Sequence, residues 1–190
     1  MKKEIRILGV DDGPFKFQDQ KAIIIAVVMR GGKYIECVLK DEVTIDGNDA
    51  TQTLQDMIKN TRHKKQLRAV MIDGAALGGF NIIDIKKIYK NTGIPIVTIT
   101  RDKPDYDEIK KALKINFKDW KKRLELMQNG ELLELETKHK PIYVKKIGLN
   151  KKETKEIINL SRIRGVLPEP IRVAHIIASG IKRGESYGKA

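Results

Sequence analysis

The chain has a single cysteine, Cys37, in 190 residues. An intrachain disulfide and a zinc site built on thiolates are both excluded. Cys37 falls inside an apparent strand, where buried filler is its expected role. Aromatic residues make up only 5% of the chain, too few for an extended platform on which successive bases stack. The longest apolar run, Ala22 to Met29, is far short of the ~20 residues that span a bilayer. The N-terminus leads toward a strand with no apolar leader region, so a cytoplasmic protein with no membrane partner is expected. There is no Gly-x-Ser-x-Gly elbow for a serine hydrolase, and no Lys-Ser/Thr after a glycine-rich loop to hold nucleotide phosphates. Internal repeats and interdomain linkers are also lacking. One domain over residues 1–190 is expected, with 184–190 as a flexible tail.

What the chain does have is positive charge. Lysine and arginine number 38 against 25 acidic residues, a net charge of +13. Such an excess favours a polyanion through counterion release and steering, so DNA or RNA is the expected partner. Lys64, Lys65 and Arg68, in a basic connector, and Arg172, Lys182 and Arg183, on the exposed side of the last helix, are the candidate nucleic-acid contacts.

Within this basic chain, two apolar runs end abruptly in carboxylates. Ile5-Arg6-Ile7-Leu8-Gly9-Val10 ends in Asp11-Asp12-Gly13, and Ala69-Val70-Met71-Ile72 ends in Asp73-Gly74. Each reads as a buried strand with an acid at its C-terminal tip. A carboxylate there is costly unless it is paired or bound to a cation. Asp12 reads as a supporting carboxylate or a cap for the turn at Gly13.

The order of elements links the two tips. After the first strand come Lys21 to Met29, a turn at Arg30-Gly31-Gly32-Lys33, and a returning strand from Tyr34 that extends toward Ile45. A helix capped by Asn48 or Asp49 follows, then the second acid-tipped strand. A glycine-rich loop, Gly74 to Gly79, leads to a helix over about Asn81 to Asn91 and a strand ending before Arg101. Helices over Tyr106–Phe117 and Trp120–Gln128 come next, with Trp120 as a core or edge anchor. A short hairpin and two C-terminal helices complete the chain, the first opened by a capping box at Asn150 and Glu153. His175 lies mid-helix beside apolar residues and reads as structural.

This β-β-β-α-β-α-β order is that of an RNase H-like α/β domain: a mixed five-stranded sheet flanked by helices, with a small C-terminal hairpin and helices outside it. In that order the first and fourth strands are neighbours, so Asp11 and Asp73 face one cleft. Carboxylates so placed suit Mg²⁺ or Mn²⁺ and phosphodiester hydrolysis.

The motifs also resemble those of endonuclease V, and more closely those of a family of small archaeal proteins placed beside it. Gly9-Val10-Asp11 with Phe15, and Val70-Met71-Ile72-Asp73-Gly74, are similar to its two acidic strands. Gly93-Ile94-Pro95-Ile96-Val97 is similar to its next strand, where Arg101 stands near the family's lysine. Leu167-Pro168-Glu169-Pro170-Ile171-Arg172-Val173-Ala174-His175 looks like the family's Leu-Pro-Glu-Pro-Thr-Arg-Leu-Ala run. The resemblance implies a nuclease with Asp11 and Asp73 as metal ligands and Arg101 steadying the phosphate. Asp46 or Asp49 stands in for the family's glutamate. The departures are the missing Pro-Tyr-Ile-Pro wedge and Leu149 at the family's histidine position, and they point away from inosine as substrate. The alternatives are a non-catalytic nucleic-acid-binding protein with a degenerate site, and a protein-interaction or small-molecule role centred on the Gly74 to Gly79 loop.

Overall fold

The structure is a computed structural model that describes residues 4–16 and 18–187. The part of the expected tail at residues 188–190 lies outside the described residues. Seven strands form one mixed sheet: β1 (Arg6–Asp12), β2 (Lys21–Arg30), β3 (Tyr34–Thr44), β4 (Leu67–Asp73), β5 (Ile96–Thr100), β6 (Leu132–Leu135) and β7 (Ile142–Ile147). Their spatial order is β3-β2-β1-β4-β5-β7-β6. The hairpin expected outside a five-stranded sheet is therefore its continuation. β7 pairs antiparallel with β5, from Ile96↔Ile147 to Thr100↔Tyr143, and β6 closes the edge. The central trio, β1, β4 and β5, is parallel.

Alternation along the central strands divides the core in two. Leu8, Val10, Val70, Ile72 and Ile96 face α1 (Ala50–Asn60) and α2 (Ile85–Thr92). Ile7, Ala69, Met71, Val97 and Ile99 face α5 (Lys151–Ser161), Leu167 and Ile171. The last helix, α6 (Glu169–Arg183), sets Ala174 and Ala178 against Ile25, Val27 and Met29 of β2. Helices α3 (Tyr106–Asn116) and α4 (Trp120–Gln128) flank β5 and the hairpin. No helix among the described residues is long and apolar enough to cross a membrane. Cys37, expected as buried filler, is half-buried on the outermost strand.

Two local differences have clear causes. The second helix begins at Ile85, with Asp84 as its N-cap, rather than near Asn81. Asn81 is instead fully buried. Its Oδ1 accepts from the Ala50 N–H at 3.0 Å and its Nδ2 donates to the Thr44 carbonyl at 2.9 Å. It satisfies an orphan donor at the start of α1, which frees Asp49 from capping. The capping box at Asn150 and Glu153 forms as its sequence implies.

Helix α6 runs alongside β1 in nearly direct contact. A methyl group on Gly9 would lie 2.1 Å from the Pro170 carbonyl carbon, so no side chain fits there. Gly9→Ala is expected to destabilise the fold by roughly 1–3 kcal/mol or more, lowering the Tm by ~2–10 °C. Thermal unfolding followed by circular dichroism measures this, and an unchanged Tm would contradict the tight contact.

Candidate active site

The cleft opens where the parallel strands end. It is lined by Asp11, Asp12, Asp73, Arg101, His175 and Ser179, with Gly13 to Phe15, Gly74 and Arg183 around them, and encloses about 350 Å³. Sequence alternation explains the convergence. Residues 7, 9 and 11 of β1 and 69, 71 and 73 of β4 point to the α6 side of the sheet. Val10 pairs with Ile72, so Asp11 and Asp73 come one position later on neighbouring strands.

Asp11 is 5% exposed. Its Oδ1 accepts from the Asp12 N–H at 2.9 Å, and its Oδ2 stands 2.8 Å from His175 Nδ1. With Asp11 ionised, the Nδ1–H of His175 donates to it. That hydrogen bond raises the His175 pKa above its ordinary value, against the opposing effect of burial.

Asp73 has an Arg101 guanidinium nitrogen 3.9 Å from its Oδ2. Burial, then the nearby negative charge of Asp11, push the Asp73 pKa up to about 7 despite Arg101. Asp12 points to the opposite face of the sheet, where its Oδ2 accepts from the Gly78 N–H at 2.6 Å. Burial, only partly offset by that bond, raises Asp12 to about 6. The charge of Asp11 thus adds to burial in opposing ionisation of both Asp12 and Asp73.

Helix α6 supplies one wall. His175, Ser179 and Arg183 recur every four residues and form a stripe along it. Ser179 Oγ is buried and has no hydrogen-bond partner among the described residues.

The expected site residues divide into those the fold gathers and those it does not. Asp11, Asp73, Arg101 and Arg183 line the cleft. Asp46 and Asp49 do not line it. Asp46 Oδ1 accepts from the Phe80 N–H at 2.7 Å. Asp49 accepts from the Thr44 N–H and, at 2.7 Å, from the Thr44 hydroxyl. Both carboxylates brace loops beside α1. Lys64 and Lys65 sit in a short 3₁₀ turn before β4, and Arg68 is the second residue of that strand, whereas Asp73 ends it. That basic group is therefore at the far end of the sheet, and Arg68 pairs with Glu153 at 3.2 Å. Arg172 pairs with Glu169 and Lys182 with Asp19.

His175 is the residue that sequence reasoning assigned to structure and the fold places on the central carboxylate. Its sign in the sequence was the spacing from Pro170, once Pro170 is known to lie over Gly9.

The Endonuclease dU family matches residues 3–182. A UPF0215 protein of Methanosarcina mazei is 46% identical over 193 aligned residues, covering all of this chain and 97% of its own. The crystal structure of a protein of unknown function from Archaeoglobus fulgidus is 35% identical, with a TM-score of 0.83 over 94% of this chain and 98% of that one. A Ciona intestinalis endonuclease V variant, in complex with DNA containing an inosine followed by a ribo-adenosine, aligns at 13% identity with a TM-score of 0.59. It covers 90% of this chain and 83% of that one, a likeness of fold.

The crowding of carboxylates has a measurable cost. The Asp73 pKa of about 7 lies above the 3.8 of an unperturbed aspartate. Ionised Asp73 therefore opposes folding. The penalty is absent below about pH 4, grows as the pH rises toward 7, and is complete above it. Asp73→Asn is expected to stabilise the metal-free protein at pH 8 by on the order of 1–3 kcal/mol, with the gain fading toward pH 4. Thermal melts across that range measure it, and a variant less stable at pH 8 would contradict the assignment.

Proposed function

This chain belongs to the endonuclease dU family, and on that premise we propose that it is a divalent-metal-dependent endonuclease that cuts DNA at or near deoxyuridine. The observation that carries the reading is the convergence of Asp11 and Asp73 at the tips of adjacent parallel strands, with Arg101 and His175 against them. Four charged groups converging in one cleft favour chemistry over a degenerate binding site.

The residues fit a hard divalent cation by donor chemistry. Asp11 and Asp73 offer carboxylate oxygens, and burial with the nearby charge of Asp11 leaves Asp73 short of positive charge. Ser179 adds a buried hydroxyl without a partner among the described residues. Among those residues no three His, Cys, Asp or Glu side chains are already arranged as a complete ligand set. Two carboxylates with a hydroxyl suit Mg²⁺ or Mn²⁺, which keep several waters and take phosphate oxygens as ligands. When bound, such an ion activates a water and offsets phosphate charge.

The protein's own groups have separate roles. His175 Nδ1–H and the Asp12 N–H fix the Asp11 carboxylate, as supporting partners of ligating carboxylates do. Each Asp11 oxygen retains a further lone pair for a cation. Arg101 stands at the mouth of the cleft, where a guanidinium can meet a phosphate oxygen and the charge that builds on it. Arg183 extends that positive rim, and the basic protein as a whole draws in the polyanion.

Duplex DNA with a single deoxyuridine, a single deoxyinosine or no lesion, incubated with Mg²⁺ or Mn²⁺, tests the reading. Nicking of the deoxyuridine strand is expected, with loss on chelation. Asp11→Asn and Asp73→Asn should each lower it on the order of 10²–10³-fold, and His175→Ala should weaken metal affinity ~10–100-fold. Folded wild-type protein that cuts none of these substrates with either metal would overturn the proposal.

A further inference from the structure

A second cavity lies beside the cleft, on the opposite face of the sheet. It encloses about 200 Å³, smaller than the ~300–1,000 Å³ of sites for drug-sized ligands and suited to one ring-sized group. Ala75 and Thr100 line it, and they are the chain neighbours of Gly74 and Arg101, which line the cleft. The cavity and the cleft therefore meet at the C-terminal ends of β4 and β5.

Its lining combines ring faces with a few polar groups. Tyr106 and Tyr143 contribute aromatic surface, and Thr98 and Thr100 contribute hydroxyls. The unusual member is Lys145. It lies mid-strand on β7, directly opposite Thr98 on β5, and is 6% exposed. Burying an ammonium without a counter-charge is costly, yet no carboxylate pairs with Lys145 among the described residues. Its Nζ donates to the Met127 carbonyl and stands 5.3 Å from the centroid of the Tyr106 ring. Asp102, at the rim, pairs instead with Lys140 at 2.9 Å. An ammonium has three donors and accepts nothing, so the cavity keeps donor capacity for a ligand oxygen.

We propose that this cavity receives an extruded pyrimidine base, held by the tyrosine rings and read at a carbonyl oxygen by Lys145 with the Thr98 hydroxyl. The proposal rests on the nuclease reading of the adjacent cleft. Enzymes that act on a particular base in a duplex turn it out of the stack into a pocket that reads its edge. A donor-only cation matches the carbonyl at the 4-position of uracil. It is mismatched with the amino group that cytosine carries there, and a site built for one such group rejects the other strongly. Lys145 therefore supplies selectivity for the keto base, while Asp11 and Asp73 serve the reaction.

The test uses binding, so it needs neither metal nor cleavage. Titration of the full-length protein with 5-fluoro-dUMP and 5-fluoro-dCMP, followed by ¹⁹F NMR, compares two ligands that share phosphate and sugar. Saturable binding of the uracil nucleotide, at least tenfold tighter than the cytosine nucleotide, is expected. Lys145→Met should reduce that preference about tenfold. Thr98→Val, nearly isosteric and so expected to keep the fold, should reduce it severalfold. Equal affinity of wild type for the two nucleotides, or a preference unchanged in both variants, would overturn the proposal. DNA nicked at deoxyuridine by a protein whose nucleotide preference ignores Lys145 and Thr98 would leave the nuclease reading standing and remove this one. A Lys145-dependent preference in a protein that cuts nothing would do the reverse.

Discussion

Helix α6 can build the cleft only because β1 carries no side chain at Gly9. The strand and the helix run side by side: Pro170 over Gly9, His175 against Asp11, and Ala178 beside Gly13. Residue 9 must be glycine for a steric reason rather than a dihedral one, since its Cβ would overlap the Pro170 backbone. The two small residues Ala174 and Ala178 continue the close approach against β2. Everything α6 contributes to the site, from the imidazole on Asp11 to the arginine at the rim, follows from that fixed spacing.

The electrostatics are organised in the opposite sense to the whole chain. A protein of net charge +13 gathers three aspartates at one end of its central strands and holds two of them above their ordinary pKa values. Such an arrangement lowers folding stability, and proteins keep arrangements of this kind where a function needs them. An acidic floor thus sits within an otherwise basic protein. Arg101 and His175 supply part of the neutralisation, which keeps the carboxylates close without cancelling their charge.

The sequence makes the central strands and their acidic tips legible because they depend on local pattern. Period-two alternation places Asp11 and Asp73 on one face, and abrupt endings in Asp-Gly mark the strand tips. Less was legible where long-range pairing decides. Leu132 to Leu135 and Ile142 to Val144 read as a hairpin, and the second strand runs on to Ile147. Nothing local says that its second strand pairs with β5, so five strands were expected where there are seven. Asp46 and Asp49 are acids in the right part of the chain, yet their carboxylates close the loops around Phe80 and Thr44. The cap of α1 comes from Asn81, 31 residues away, and removes that asparagine from the helix its own pattern favours. His175 was read as structural because a histidine among apolar helical residues usually is. Its partner lies 164 residues earlier.

That separation has a consequence for how the protein is made. The strand-tip carboxylate emerges from the ribosome first, and the histidine that fixes it follows 164 residues later, after ~10–30 s at ordinary elongation rates. A nascent or prematurely terminated chain that stops before α6 lacks the wall holding His175, Ser179 and Arg183. Domains with such high sequence separation between partners also fold slowly, because loop closure comes before the contact that rewards it. The cleft is therefore not assembled until α6 has been synthesised.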